Sequence, residues 1–333
     1  MVLVKKEEVI IIGGGPCGLA AAIACQDKGL KPLVLEKDHI VSSIYKYPTH
    51  QTFFSTSEKL EIGDVAFVTE ERKPHRNQAL AYYRSVAERK NLRIHSHEKV
   101  LEVTKQTNGR FVLKTDKQTY EAAFVIIATG YYDSPNYMDI PGEDLPHVYH
   151  YFKEAHPYFK QNVVVIGGKN SAIDAALELE KAGAYVTALY RGDDYSASVK
   201  PWILPEYVSL VKNNKITLEF QAEVTQITST DVNYTVLGKS KSVKADYVFA
   251  MTGYHPDHQF IKSMGVHVDD GTGRPEYNPD TFETNIDGLF IAGVIAAGNN
   301  ANEIFIENGR WHGSGIASRI VDILANEHEG LVE

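Results

Sequence analysis

Val9-Ile10-Ile11-Ile12-Gly13-Gly14-Gly15-Pro16-Cys17-Gly18 is the stretch that decides the fold. Four apolar residues in a row, with no polar alternation, read as a strand buried on both faces, as in a parallel sheet. They run into Gly13, Gly15 and Gly18, which fill the spacing G-x-G-x-x-G. Leu19 to Lys28 is alanine-rich helix material closed by Gly29, and Leu33-Val34-Leu35 is the next buried strand. In such a β-α-β unit the glycines allow a tight turn, close backbone approach to a pyrophosphate, and close helix–sheet packing. The pyrophosphate rests on the helix N-terminus, where free amides and the helix dipole favour an anion. Glu36 ends the second strand 18 residues after Gly18, placed to accept hydrogen bonds from an adenosine ribose. Gly13, Gly14, Gly15, Pro16, Gly18 and Glu36 are the candidate contacts of a first dinucleotide.

The pattern occurs twice. Val163-Val164-Val165-Ile166-Gly167-Gly168-Lys169-Asn170-Ser171-Ala172 repeats it 154 residues later, counted from Gly13 to Gly167, and a helix through Leu179 leads to Tyr185–Arg191. Ala172 replaces the third glycine at little steric cost, whereas Lys169 in place of the middle glycine puts a side chain on the usual pyrophosphate path. The second strand ends in Arg191 and not in an acid. Arginine suits a ribose that carries a 2′-phosphate, so Gly167, Gly168, Lys169, Asn170, Ser171 and Arg191 read as an NADP(H) site, with NADPH favoured over NADH. Phe124–Gly130 and Tyr247–Tyr254 are strands that close each half on a Thr-Gly turn. Between opening and closing strands lie segments expected to form antiparallel layers: Val100–Lys105, Arg110–Thr115 and Thr119–Ala122, then Ile216–Phe220, Val224–Ile227 and Val232–Leu237. The fold class is α/β, with two Rossmann-like three-layer dinucleotide-binding domains in series.

Composition narrows the function. The chain has 333 residues, 34 basic and 43 acidic, for a net charge of −9. At roughly 150 residues per domain that is about two domains. An acidic surface repels phosphate backbones, so nucleic acid is not the expected partner. No apolar run approaches the roughly 18 residues of a membrane helix, and the first one lacks the layout of a signal peptide, so no membrane association and a cytoplasmic location are expected. The two cysteines are Cys17 and Cys25. On one helix their separation is about 12 Å along the axis, too far for a disulfide, and no metal spacing is present.

The whole chain resembles the two-dinucleotide-binding-domain flavoproteins, which include thioredoxin reductases, ferredoxin–NADP reductases of the same type and flavin monooxygenases. The carrying residues are both glycine motifs, Ala128-Thr129-Gly130, Asn170-Ser171-Ala172 and Gly288-Leu289-Phe290-Ile291-Ala292-Gly293. The resemblance implies FAD on the first motif and NADPH on the second. It implies a discontinuous FAD domain over 1–135 and 273–333, around an NADPH domain over 136–272. It extends the FAD contacts to Lys37, His50, Val100, Thr129, Gly130, Gly293 and Val294, the last standing where the superfamily usually has an aspartate. More narrowly, the chain is similar to the bacillithiol disulfide reductase family, on Gly13–Gly18, Tyr45–Ser55, Gly167–Leu179 and Ile291–Asn299, and Lys169 and Val294 both fit that family's pattern. This implies NADPH-dependent reduction of bacillithiol disulfide, a low-molecular-weight disulfide, and a homodimer.

The NADPH half has no cysteine, which excludes the C-x-x-C route of a thioredoxin reductase. Cys17 begins the first helix, where the dipole lowers a thiol pKa and a pyrophosphate raises it. Two readings stand: a redox-active thiol that forms a mixed disulfide, or a small residue in a crowded turn. Cys25 reads as core. The aromatic and hydroxyl-rich stretch Tyr45–Ser57 is a candidate lining for the flavin or substrate pocket, with His50 as candidate proton donor to a leaving thiolate or as a backbone partner. Glu307–Gly313 is placed to meet the flavin, and Trp311 equally to pack. A monooxygenase, whose linker motif leaves only His150 here, a ferredoxin-type reductase and a redox sensor without turnover are the alternatives.

Overall fold

A computed structural model describes residues 4–300 and 302–329. Its strands are β1 Val4–Ile12, β2 Pro32–Leu35, β3 Ile94–His95, β4 Val100–Lys105, β5 Phe111–Thr115, β6 Thr119–Ile127, β7 Val148–Tyr149, β8 Asn162–Ile166, β9 Tyr185–Tyr190, β10 Ile216–Phe220, β11 Ala222–Ile227, β12 Asp231–Val236, β13 Lys239–Lys244, β14 Tyr247–Ala250 and β15 Leu289–Ile291. Its helices are α1 Pro16–Asp27, α2 Ser42–Lys46, α3 Ser57–Leu60, α4 Arg76–Arg89, α5 Asn170–Lys181, α6 Leu204–Lys212, α7 His258–Ser263, α8 Ile306–Gly309 and α9 His312–Glu329. Among the described residues no helix is long and apolar enough to cross a membrane.

The chain forms two compact units. Unit 1 takes Met1–Tyr45, Gln51–Ser134 and Tyr254–Glu333, and unit 2 takes Lys46–His50 and Pro135–Gly253. The return to unit 1 thus comes at Tyr254, earlier than the boundary expected at 273. Burial explains the difference: Ile261, Met264 and Val266, on and just after α7, pack into the same core as Ile10, Leu33 and Leu289. Each fully buried aliphatic chain there contributes about 1.5–3 kcal/mol.

In unit 1 the sheet order is β3-β2-β1-β6-β5-β4, with β15 also on β6. β6 is one continuous strand, where the sequence suggested two. Its first half, Thr119–Ala122, pairs antiparallel with β5, while Val125–Ile127 pair parallel with β15. β1 runs parallel along both halves. The other face carries α1 and α9, which approach so closely that a Cβ on Gly313 would lie 2.6 Å from Ala21 Cα. Cys25 lies in this layer with Ile316, Ala317 and Ile320, a core position as expected.

In unit 2 the main sheet is β10-β9-β8-β14-β7, all parallel. Ile216–Phe220 therefore extends the nucleotide-binding sheet, correcting the antiparallel expectation, because β10 pairs with Val186–Tyr190 of β9. The antiparallel layer is β11-β12-β13. Its third strand, Lys239–Lys244, is exposed along nearly its whole length and has little apolar pattern to betray it.

Candidate functional site

The first glycine loop is closed by contacts that leave no room for side chains. A Cβ on Gly13, whose φ is +111°, would lie 2.4 Å from Ala128 O, and one on Gly18 would lie 2.0 Å from Gly13 O. Gly15 differs: no described atom lies within 4 Å of the Cβ position, so the loop is open where a pyrophosphate would approach. Pro16 begins α1, where a missing N–H is tolerated. Glu36 is buried, and its carboxylate accepts hydrogen bonds from Gly14 N at 2.7 Å and Asp38 N at 2.8 Å. Lys37 is exposed and pairs with Asp133 at 2.9 Å. Among the described residues Thr129 Oγ1 is buried without a hydrogen-bond partner, on the turn that ends at Gly130 with φ +70°. Val100 is buried at the start of β4. The cradle, the oriented carboxylate and the unpaired hydroxyl fit a dinucleotide.

Glu98 was not singled out by sequence. It is 2% exposed, and its backbone N donates to Glu36 O, so it braces the turn after β2. Its carboxylate accepts from Thr115 and Tyr120 at 2.9 Å and Gln118 at 3.0 Å. Burial pushes the carboxyl up, but the three hydrogen bonds and the neighbouring His95 outweigh it and hold the group below the ordinary carboxylate range. The signal was absent because a lone glutamate between short strands looks like surface.

Cys17 sits on the first turn of α1 in a slot of glycines. A Cβ on Gly293 would lie 3.0 Å from its Sγ, and one on Gly309 would lie 2.9 Å from it. Burial, then the charge of Glu307, push the thiol up to about 12, so burial overrides the helix dipole and the thiol is neutral at pH 7. The Ser55 hydroxyl donates to Glu307 Oε1, joining the stretch 51–57 to α8. Arg310 Nη1 donates to Glu58 O at 3.1 Å and its guanidinium lies 4.6 Å over the Trp311 ring, which is itself exposed. Gly293, with φ +81°, donates its N–H to His312 Nδ1 at 3.2 Å, and Val294 opens the short 3₁₀ turn that follows. Burial lowers His312 to about 4, leaving a neutral ring stacked on Phe282. Cys17, Ser55, Gly293, Val294 and Glu307 are thus brought together in unit 1.

His50 is not part of this group. It is exposed, belongs to unit 2, and its Nδ1 lies 4.0 Å from Glu178 Oε2 on α5, with the Phe152 ring at 6.2 Å. The Lys46–His50 stretch crosses to unit 2 because Thr49 N donates to Lys153 O.

The second loop repeats the first with substitutions. A Cβ on Gly167, φ +135°, would lie 2.5 Å from Met251 O, as Gly13 meets Ala128. Lys169 is the exposed N-cap of α5 and makes no side-chain capping bond. Asn170 joins the helix start to the segment 198–200, donating to Ser198 O at 3.1 Å and accepting from Lys200 N at 2.8 Å. Ser171 and Arg191 are exposed, with Arg191 directly after β9. His150, the residue left from a monooxygenase pattern, instead pairs with Glu143 at 3.7 Å under the Tyr137 ring.

Among known proteins, the family described as pyridine nucleotide-disulphide oxidoreductase matches residues 10–293. The chain is similar to a Bacillus subtilis (strain 168) protein named bacilliredoxin reductase Bdr, 63% identical over 316 residues, 95% of this chain and 98% of that one. Among solved structures it is similar to bacillithiol disulfide reductase Bdr from Bacillus cereus, with a TM-score of 0.94 and 61% identity over 96% of this chain and 99% of that one. The protein of the same name from Staphylococcus aureus gives 0.92 and 59% over the same shares.

Proposed function

Because the chain belongs to the pyridine nucleotide-disulphide oxidoreductase family, we propose that it is an FAD-dependent enzyme that uses NADPH to reduce bacillithiol disulfide. The observation that carries the reading is near-complete overlap with the two solved proteins named for that reaction. FAD fits unit 1, where Gly13, Gly14, Gly15, Pro16 and Gly18 present the pyrophosphate cradle, Glu36 the ribose acceptor and Thr129 a free hydroxyl. Lys37, Val100, Gly130, Gly293 and Val294 are the further FAD contacts in this reading. NADPH fits unit 2, on Gly167, Gly168, Lys169, Asn170, Ser171 and Arg191. The enzyme acts in the cytoplasm as a homodimer in this reading, which light scattering checks.

A bound flavin supplies the two-electron relay between nicotinamide and disulfide. One NADPH and one proton enter, the S–S bond takes up two electrons and breaks, and NADP⁺ and two thiols leave. In this reading Cys17 is the exchanging thiol. At rest its proton stays on sulfur, so an S–S bond to substrate forms only as that proton leaves, and Glu307 on the adjoining helical turn is the carboxylate facing it. One substrate thiol departs, and two electrons then split the mixed disulfide to restore Cys17 and release the second. His50 is assigned no step here; its neighbours within unit 2 are Glu178 and Phe152.

The test is NADPH consumption by FAD-loaded protein with bacillithiol disulfide, with a bacilliredoxin–bacillithiol mixed disulfide, and with neither, counting thiols and peroxide together. Two thiols per NADPH with the small disulfide is the expected result. Turnover with the bacilliredoxin alone would replace the substrate, in line with the name of the B. subtilis relative. NADPH loss matched by peroxide in every arm sinks the proposal. Cys17→Ala is expected to keep FAD and lose at least about 100-fold in disulfide reduction; unchanged reduction removes Cys17 from the chemistry.

A further inference from the structure

The two loops differ most at a residue that the glycine spacing does not mark. In unit 1 Ile12 pairs with Leu35, and the next residue is Glu36. In unit 2 Ile166 pairs with Leu189, and the next residue is Tyr190. Strand register therefore makes Tyr190, and not Arg191, the counterpart of Glu36. Packing agrees. A Cβ on Gly14 would lie 3.2 Å from Glu36 Cβ and 3.3 Å from its Oε2, while one on Gly168 would lie 2.4 Å from Tyr190 Cγ and 2.5 Å from both Cδ atoms. The pattern G-x-G-x-x-G leaves its first x free, yet both copies carry glycine there because the strand-end side chain lies upon it.

The Tyr190 ring is held on two sides. A Cβ on Gly192 would lie 2.5 Å from its Cε1 and 2.9 Å from its phenol oxygen, so the far end of the ring covers Gly192 as the near end covers Gly168. The ring's single polar atom is thereby directed away from Gly168, the place where unit 1 presents carboxylate oxygens. A ribose with a free 2′,3′-diol finds an acceptor at Glu36 and an aromatic face at Tyr190. A diol donor left without its acceptor is a strong ground for rejection.

We propose that Tyr190 is a specificity-determining residue: by occupying the acid's register position over Gly168 it withholds the diol acceptor that NADH requires, while Arg191 beside it offers charge to a 2′-phosphate. The inference rests on reading unit 2 as the NADPH-binding half.

Calorimetric titration of the FAD-loaded protein with NADP⁺ and with NAD⁺ tests it without turnover. Tyr190→Glu is expected to tighten NAD⁺ at least tenfold and weaken NADP⁺ at least tenfold. Tyr190→Phe, which keeps the ring and removes the hydroxyl, retains the native ratio of the two affinities. A Tyr190→Glu protein whose ratio stays within threefold of native overturns the inference. A native protein that binds neither nucleotide overturns it together with the reading of unit 2. Should Tyr190→Glu not fold, Gly168→Ala forces a methyl into the ring and is expected to move the ratio at least tenfold; an unmoved ratio is again fatal.

Discussion

Units 1 and 2 build the same loop with different tolerances. In unit 1 the third motif position is Gly18, whose missing Cβ makes room for Gly13 O at 2.0 Å. In unit 2 it is Ala172, buried against Gly167 with its Cβ 3.1 Å from where a Gly167 Cβ would be. Unit 1 presents a buried carboxylate at the end of its second strand; unit 2 presents a tyrosine ring and then an exposed arginine. Unit 1 also packs its loop region against a distant segment, with Cys17 set beside Gly293 and Gly309. The difference teaches that one supersecondary frame fixes where a dinucleotide lies, while the strand-end residue and the tightness of the turn decide which one and how firmly.

The largest expected effect comes from exchanging the tightness. Gly18→Ala drives a methyl into backbone oxygen that cannot move independently, so it is expected to cost about 3 kcal/mol or more and to yield protein largely free of flavin. Ala172→Gly is expected to cost about 0.5–1 kcal/mol and leave flavin content unchanged. Flavin absorbance per protein and thermal midpoints compare the two, and similar losses would erase the distinction between the loops.

A second contrast is pH. His312 is held neutral to about 4, whereas the unfolded chain takes up its proton near the ordinary 6.5. The stabilisation is present above 6.5 and is lost as pH falls toward 4, an effect of about 3 kcal/mol for a shift of that size. Protonation also removes the Nδ1 lone pair that accepts Gly293 N–H. Unfolding in urea followed from pH 7 to pH 4 is expected to show this loss, and His312→Asn to flatten it. Equal slopes in both proteins would place the acid sensitivity elsewhere.

The smallest effect concerns the strand-end acid. Glu36→Gln keeps an acceptor for one of its two amide donors and removes the charge, and is expected to weaken FAD binding about tenfold while leaving NADP⁺ binding in place. Flavin release measured by fluorescence checks the first half and calorimetry the second. A change in both affinities would mean that Glu36 supports more than its own loop.

Much of this was legible from sequence, for a physical reason. Both β-α-β units announce themselves because a strand buried on both faces must be apolar throughout and a tight turn must be glycine. β13 was not legible: Lys239–Lys244 sits at a sheet edge and is held by backbone pairing to β12, which charged residues satisfy as well as apolar ones. Arg191 was put in the place of Glu36 by its chemistry, whereas register gives that place to Tyr190. The thiol of Cys17 was read from its helix turn alone. Its neutrality comes from Gly293, Glu307 and Gly309, which lie hundreds of residues away and carry no mark of proximity. His50 escaped in the same way, since nothing local says that Thr49 will find Lys153.

The divided strand β6 has a consequence for how the protein is made. Its second half waits for β15, and α1 waits for α9, so unit 1, which opens before unit 2 in the chain, is completed only after it. Almost all of unit 2 is one uninterrupted stretch that can close in the meantime. Until Leu289–Ile291 emerges, Val125–Ile127 offers a bare apolar edge of the kind that pairs with strangers. Synthesis speed and chaperone supply then bear on its yield in a cell alongside the stability of the finished molecule.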